Sequence, residues 1–261
     1  MSENILENKK IVIIGGTTGI GLSAAKAFIK HGASVVVVGR DPGHAEEAKK
    51  NLGTNSESIT GDAVNKETAI SAINVCIKKF GGFDGLYHVA GGSGRGWGDG
   101  PLGSLSLEGW NKTLELNLTS LMLSNQAALN QFIKQNSGGT ILNIGSVLGF
   151  SPSPEHFSTH AYAAAKSAVI GFSKSVASYY AKKNIRINVI TPGLVETPMA
   201  LRAANDEGIL SFIKKKQPLD GGRIGQPGDL DGLAVYFMSD YSSFTTGQVI
   251  AVDGGWSVSE R

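Results

Sequence analysis

The sequence predicts an α/β fold: one domain built on a doubly wound, parallel, seven-stranded sheet with helices on both faces. Three observations carry that expectation. Short apolar runs rich in β-branched residues alternate with longer segments of helical period, the pattern of strand-helix-strand crossovers. The run 35–38, four consecutive valines, is apolar at every position, as a strand covered on both faces requires. No Pro/Ser-rich linker or shift of composition divides the 261 residues, and α/β folds reach this length undivided.

Taken in order, the first strand is expected at 11–14 and the first helix at 22–30. Leu22, Ala25, Phe28 and Ile29 fall on one face of that helix, and Gly32 supplies a left-handed stop. A strand at 34–38 and a helix at 45–52 follow. Further strands are expected at 58–60, 85–89, 140–144, 186–190 and 248–252, with longer helices over 108–135 and 162–183. The glycine-rich stretch 91–103 reads as a loop within the domain.

Composition narrows the function classes. Lys plus Arg number 24 against 22 Asp plus Glu, and a formal charge of +2 gives no field suited to nucleic acid or an anionic membrane. A small-molecule partner is the expectation. The first ten residues lack the cationic start and apolar stretch of a secretory signal, and no run approaches membrane-spanning length, so the expected location is the cytoplasm. Cys76, the single cysteine, sits among Ile73, Ile77 and Phe80 and reads as a buried, inert thiol.

Directly after the first strand stands Gly15-Gly16-Thr17-Thr18-Gly19-Ile20-Gly21, leading into a helix. Glycines at such a turn let the chain reverse tightly and let a pyrophosphate reach the amides at the helix start. With a strand before and a helix after, this is a dinucleotide site of Rossmann type.

A second signal concerns proton transfer. Hydride delivered to a carbonyl leaves an alkoxide, which needs an acid at the oxygen. A tyrosine beside a lysine can serve, because a nearby ammonium favours the phenolate, and Y-x-x-x-K puts both on one helical face. The motif occurs twice, as Tyr162/Lys166 and Tyr179/Lys183. Tyr162 opens a helix that follows the strand ending near Ser146, so the two can converge at the cofactor side of the sheet. Tyr179 lies over four turns further along, where its lysine merely suits a helix C-terminus.

The G-x-x-x-G-x-G spacing, with Y-x-x-x-K, resembles the short-chain dehydrogenase/reductase family, and the likeness extends across nearly the whole chain. The resemblance implies that Gly15, Thr17, Thr18, Gly19, Ile20 and Gly21 hold the cofactor, with Asp62 and Ala63 at its adenine and Ala90 and Gly91 after the fourth strand. It implies that 188–193, reading N-V-I-T-P-G, with Pro192, Gly193 and Thr197 holds the nicotinamide carboxamide. It also implies that Ser146 bonds the substrate oxygen, that Asn117 holds a water of the proton relay, and that Lys166 contacts the nicotinamide ribose beside Tyr162. Two departures stand at strand ends: Ile14 replaces the usual Thr, and His88-Val89 the usual Asn pair. The segment between Ser146 and Tyr162 is longer than in much of the family, which implies an inserted loop at the site entrance.

Gly39-Arg40 follows the second strand in place of the carboxylate that selects NAD, and this matches the family's NADP-preferring pattern. NADP(H) is therefore the expected cofactor, with NAD(H) the other nicotinamide nucleotide the site can take. The family likeness further implies a substrate lid over 194–220 and a homotetramer paired through the two long helices. Lys214, Lys215 and Lys216, within that lid, read as a solvated helix face. His156 and His160 have metal-pair spacing but no recognisable third ligand, and Pro152 and Pro154 disfavour the required helix, so no metal is expected. His160 stands two residues before Tyr162, within reach of a substrate. Trp97 and Arg95 in the glycine-rich loop read equally as a wall of the site or as a free loop.

Two other classes compete with a carbonyl/alcohol oxidoreductase. A non-catalytic nicotinamide sensor keeps the glycine turn but loses the catalytic tyrosine or lysine. A methyltransferase of related fold gives Tyr162 and Lys166 no task.

Overall fold

The structure is a computed structural model that describes residues 4–259. Strand and helix alternate from the start: β1 (Lys10–Ile14), α1 (Gly19–Lys30), β2 (Ser34–Gly39), α2 (Pro42–Leu52), β3 (Ser56–Thr60), α3 (Lys66–Phe80) and β4 (Gly85–His88). There follow α4 (Leu107–Leu114), α5 (Ser120–Gln135), β5 (Gly139–Ile144), α6 (His160–Tyr180) and β6 (Ile185–Pro192). The chain ends with α7 (Leu201–Ala204), α8 (Glu207–Lys216), α9 (Asp231–Met238) and β7 (Val249–Val252). All seven strands pair in parallel in the order β3-β2-β1-β4-β5-β6-β7. Each expected strand is present, with bounds shifted by one or two residues.

The period-2 alternation of a strand explains the two helical layers. Ile11 and Ile13 of β1 and Val35 and Val37 of β2 face a core with Phe28 of α1 and Phe237 of α9. Their neighbours Val12, Ile14, Val36 and Val38 face the opposite core, against Ile73 and Cys76 of α3 and Phe132 of α5. Cys76 is fully buried, and burial pushes its thiol up to about 12, so it is inert as expected. Gly32 stands at φ +94°, the left-handed stop after α1.

Several elements differ from expectation. The helix expected over 108–135 is interrupted by a π-helical turn at Glu115–Thr119, which contains Asn117. Asparagine weakens an α-helix by competing for its backbone, and here its amide donates to the Thr113 carbonyl at 2.9 Å within the widened turn. The helix expected over 162–183 begins two residues earlier, at His160, and ends at Tyr180 before a short 3-10 turn at Ala181–Lys183. α3 and α9 were not assigned from the sequence; α9 is apolar nearly all round, which erases the periodicity that marks a helix. No described helix is long and apolar enough to cross a membrane.

Candidate active site

Between β1 and β4 the winding of the sheet reverses, and in open α/β sheets ligands enter at the carboxyl ends of such strands. A cleft of about 660 Å³ opens there. It is lined by Gly15, Thr17, Thr18, Gly19, Ile20, Arg40, Asp62, Ala63, Ala90 and Gly91, and also by Asn117, Ser146, Tyr162, Lys166, Pro192, Gly193 and Thr197. Of the glycine-turn residues expected to hold the cofactor, only Gly21 lies outside the lining. A Cβ at Gly21 would lie 2.0 Å from the Gly15 carbonyl oxygen, so its part is to let α1 pack onto the turn.

The glycine turn fits a dinucleotide phosphate. Gly15 has φ +85°, and a Cβ there would lie 2.6 Å from the Ala90 amide nitrogen, so the chain reverses where no side chain is allowed. The Gly15 and Gly16 amides donate to the Val38 carbonyl at 2.9 and 3.0 Å, which ties the turn to β2. Thr18 at the start of α1 makes no side-chain cap, and the first turn holds no acidic residue. The free amides and the positive end of the helix therefore face the cleft with no partner of their own, as an anionic ligand requires.

At the other end of the cleft the candidate catalytic residues converge. Ser146 follows β5 and accepts from the Leu148 amide at 3.2 Å. Lys166, buried one turn into α6, donates to the Ile144 carbonyl at 3.0 Å and holds its ammonium 5.6 Å from the Tyr162 ring centre. Asn117 is pinned on both sides of Gly92: its Oδ1 accepts from the Gly92 amide at 3.2 Å, and its Nδ2 donates to the Gly92 carbonyl at 2.8 Å. A Cβ on Gly91 would lie 2.7 Å from Asn117 Oδ1 and 3.7 Å from Lys166 Nζ, so the loop after β4 runs between the two. Tyr179 is 64% exposed and packs on Tyr180 and Lys182 instead, outside the cleft.

The electrostatics differ from the simple picture of an ammonium lowering a phenol. Burial pushes the Tyr162 phenol up to about 12, with the Ser146 hydroxyl pulling the other way, and burial brings the Lys166 ammonium down to about 8. Desolvation outweighs the Ser146 hydrogen bond at Tyr162 and acts alone on Lys166. At neutral pH Tyr162 is thus a protonated acid beside a charged lysine.

His88, at the end of β4, is fully buried and held down to about 3 by burial and, second, by the Lys166 charge. It remains neutral. Its Nδ1 lies 2.7 Å from Ser124 Oγ and its Nε2 3.5 Å from Ser120 Oγ, so two serines of α5 satisfy the ring and fix β4 to that helix. Ile14, the other departure, is a core residue.

The glycine-rich loop after β4 has a function the sequence did not reveal. Asp99 is buried, and its two carboxylate oxygens accept from the Ala161 and Tyr162 amides, both at 3.0 Å. Thr159, the residue preceding α6, offers no side-chain cap, so Asp99 caps the helix from 62 and 63 positions away. His160 Nδ1 accepts from the Leu102 amide at 3.0 Å, and this imidazole, expected near substrate, lies outside the cleft lining. Arg95 lines the cleft, whereas Trp97 is 40% exposed beside Lys112.

Asp99→Ala is expected to lower stability by about 0.5–2 kcal/mol, the usual worth of a cap. It should also cut kcat by up to about 10²-fold through misplacement of Tyr162, with cofactor affinity unchanged. Asp99→Asn keeps one acceptor and turns an NH2 toward the other amide, so it should restore only part of both. Calorimetry with steady-state kinetics would check this; a loss of stability at unchanged kcat would confine Asp99 to the fold.

The region 194–220 forms a short 3-10 turn (Pro198–Ala200), α7 and α8. Ala203, Ile209 and Ile213 pack with Val147 and Trp256, and with Phe157 and Phe212 at the edge. The longer segment before α6 is the loop that carries His156 and Phe157 onto this cluster, with the His156 and Phe212 rings 4.8 Å apart. Lys214 and Lys215 are exposed, as a solvated face requires. Lys216 departs from that expectation: it is buried and donates to the Ser259 carbonyl at 2.8 Å.

Comparison with known proteins agrees with this architecture. A family model of the short-chain dehydrogenase type, described as enoyl-(acyl carrier protein) reductase, matches residues 15–257. The chain is 34% identical to a 3-oxoacyl-(acyl-carrier-protein) reductase of Chlamydia muridarum over 97% of its own length and 98% of the relative's. It is 31% identical to a 2,5-dichloro-2,5-cyclohexadiene-1,4-diol dehydrogenase of Sphingobium indicum, with the same coverage. Among solved structures, a short-chain type dehydrogenase/reductase from Mycobacterium ulcerans superposes with a TM-score of 0.85 at 28% identity, covering 100% of this chain and 92% of that one. With a family match over nearly its full length and these relatives, the chain belongs to the short-chain dehydrogenase/reductase family of oxidoreductases.

Proposed function

We propose that this protein interconverts a carbonyl and an alcohol with NADP(H) as the preferred hydride carrier and Tyr162 as the proton donor or acceptor. One observation carries the reading: Ser146, Tyr162, Lys166 and Asn117, from three separate segments of the chain, line one cleft with the glycine turn. A nicotinamide bound along that cleft supplies the hydride.

The residues of the chain do the rest. The Ser146 hydroxyl and the Tyr162 phenol both face the position of the reacting oxygen, one to hold it and one to protonate it. Lys166, charged below about pH 8, steadies the phenolate that forms when Tyr162 gives up its proton. Asn117, fixed on Gly92, sits across Gly91 from Lys166 and is assigned to the proton relay. In the reverse direction Tyr162 must first lose its proton, so alcohol oxidation should accelerate with rising pH while carbonyl reduction slows.

Mixing the protein with NADPH and a panel of ketones, and following the nicotinamide absorbance, tests the reading. Oxidation of NADPH that depends on the ketone supports it. NADPH binding with no turnover on any ketone would favour a nicotinamide sensor. We further propose a single catalytic domain, a cytoplasmic location and a homotetramer joined through α5 and α6; the tetramer rests on family likeness.

A further inference from the structure

We propose that Arg95 and Arg202 form a clamp for an anionic group at the catalytic end of the cleft, so that the substrate is an oxo or hydroxy acid. This deepens the oxidoreductase reading and rests on it only for the reacting carbon.

The distribution of charge along the cleft is lopsided. Its lining contains two carboxylates, Asp41 and Asp62, and the sequence places both at the adenosine end, Asp41 next to Arg40. The catalytic end presents Arg95, Arg202 and Lys166 with no carboxylate among the lining residues. Arg95 and Arg202 are both exposed to the cleft, and neither makes an ion pair among the described residues. Arg95 makes one long bond, donating to the His156 carbonyl at 3.4 Å.

The Arg202 charge reaches Arg95. The charged form of Arg95 is disfavoured first by partial burial and next by Arg202, with Asp99 acting in the opposite sense. Asp99 offsets part of this charge from a distance but makes no ion pair with either arginine, and its two oxygens accept from the start of α6. Of the acids near Arg202 in the sequence, Glu196 accepts from the Gln226 side-chain amide at 2.7 Å and Asp206 caps α8 through the Ile209 amide at 3.0 Å. Two cations without a direct ion-pair partner are a cost that a bound carboxylate would offset, and a guanidinium offers it paired donors.

Both arginines are held by anchored elements. Arg95 lies four residues before Asp99, on the loop tied to the Tyr162 amide, and Arg202 lies on α7 next to buried Ala203. The cleft lining also includes Val147, Leu148, Phe157, Met199 and Trp256, of which Val147, Phe157 and Trp256 cluster with Ala203 beside Arg202, an apolar surface suited to the carbon chain joining the reacting carbon to the acid.

The test uses straight-chain oxo carboxylates, with the carbonyl two to six carbons from the acid, and their methyl esters. Binding is read by tryptophan fluorescence in the presence of NADP⁺, and turnover with NADPH, for wild type, Arg95→Gln, Arg202→Gln and the double variant. The expected result is an oxo acid bound roughly 10- to 150-fold tighter than its ester, as one charged hydrogen bond provides. The double variant should level the two while keeping ester turnover and NADPH affinity.

Equal binding of acid and ester by wild type, or binding of no acid, would overturn the clamp. Equal losses on acid and ester in the variants would do the same. A parallel fall in NADPH affinity would assign the pair to the cofactor and also overturn it. Acid-selective binding without NADPH oxidation on any carbonyl would support the clamp and overturn the oxidoreductase reading instead.

Discussion

Tyr162→Phe is expected to lower kcat by about 10²–10⁴-fold, the usual contribution of a positioned acid, and to leave cofactor affinity nearly intact. The substitution removes one hydroxyl at the catalytic end of the cleft and leaves the glycine turn untouched. Because burial holds the phenol protonated up to about pH 12, wild-type reduction has its acid in place throughout the neutral range. Lys166 loses its charge near pH 8, so support for the phenolate weakens above that value. The reduction rate should therefore be flat below about pH 8 and fall above it, and the Tyr162→Phe variant should lack this dependence. Tyr179→Phe is the control: its ring is mostly exposed and packs on Tyr180, and its kinetics should match wild type. Stopped-flow measurement of both variants over pH 6–10, a span set by the usual tyrosine and shifted lysine ranges, decides the assignment. A silent Tyr162→Phe with a damaged Tyr179→Phe would reverse it.

What the sequence made legible shares one property, locality. The glycine turn, the valines of β2 and the two Y-x-x-x-K pairs are patterns within a few residues, and backbone sterics or helical period convert each into geometry. Choosing Tyr162 over Tyr179 needed only the rule that ligands enter at strand ends. The features that escaped are long-range. Asp99 looked like one residue of a glycine-rich loop, because its partners lie 62 and 63 residues away. Lys216 read as part of a charge run, since the carbonyl it reaches belongs to Ser259. His88 read as a departure from the family pattern, whereas Ser120 and Ser124 on the facing helix satisfy its ring. Asn117 lies between these cases. Its unfavourable helix propensity was visible, and the π-helical turn that accommodates it was not.

Arg40→Ala is expected to weaken NADP(H) binding by roughly 10- to 150-fold, the equivalent of one charge-assisted hydrogen bond of about 1.5–3 kcal/mol, with NAD(H) little changed. Arg40 is exposed at the end of β2, lines the cleft, and makes no ion pair among the described residues. The neighbouring acid does not occupy it: Asp41 accepts from the His44 amide at 2.8 Å and caps α2. A free, planar guanidinium at this point suits a 2′-phosphate. The absence of a carboxylate at Gly39 has a steric cause, because a Cβ there would lie 2.1 Å from Thr17 Oγ1 and 2.7 Å from Thr17 Cγ2. Thr17 is buried in the glycine turn, so Gly39→Asp alone should disturb that turn and weaken both cofactors instead of reversing the preference. The converse test therefore needs Thr17→Gly with Gly39→Asp, because a Cβ at Gly39 would also lie 2.9 Å from the Thr17 Cβ, which a serine would keep. Titration of NADPH and NADH by nicotinamide fluorescence measures each step. A wild type that binds NADH as tightly as NADPH, or an Arg40→Ala variant that loses both equally, would remove Arg40 from cofactor selection, because a contact with the 2′-phosphate can act on only one of the two nucleotides.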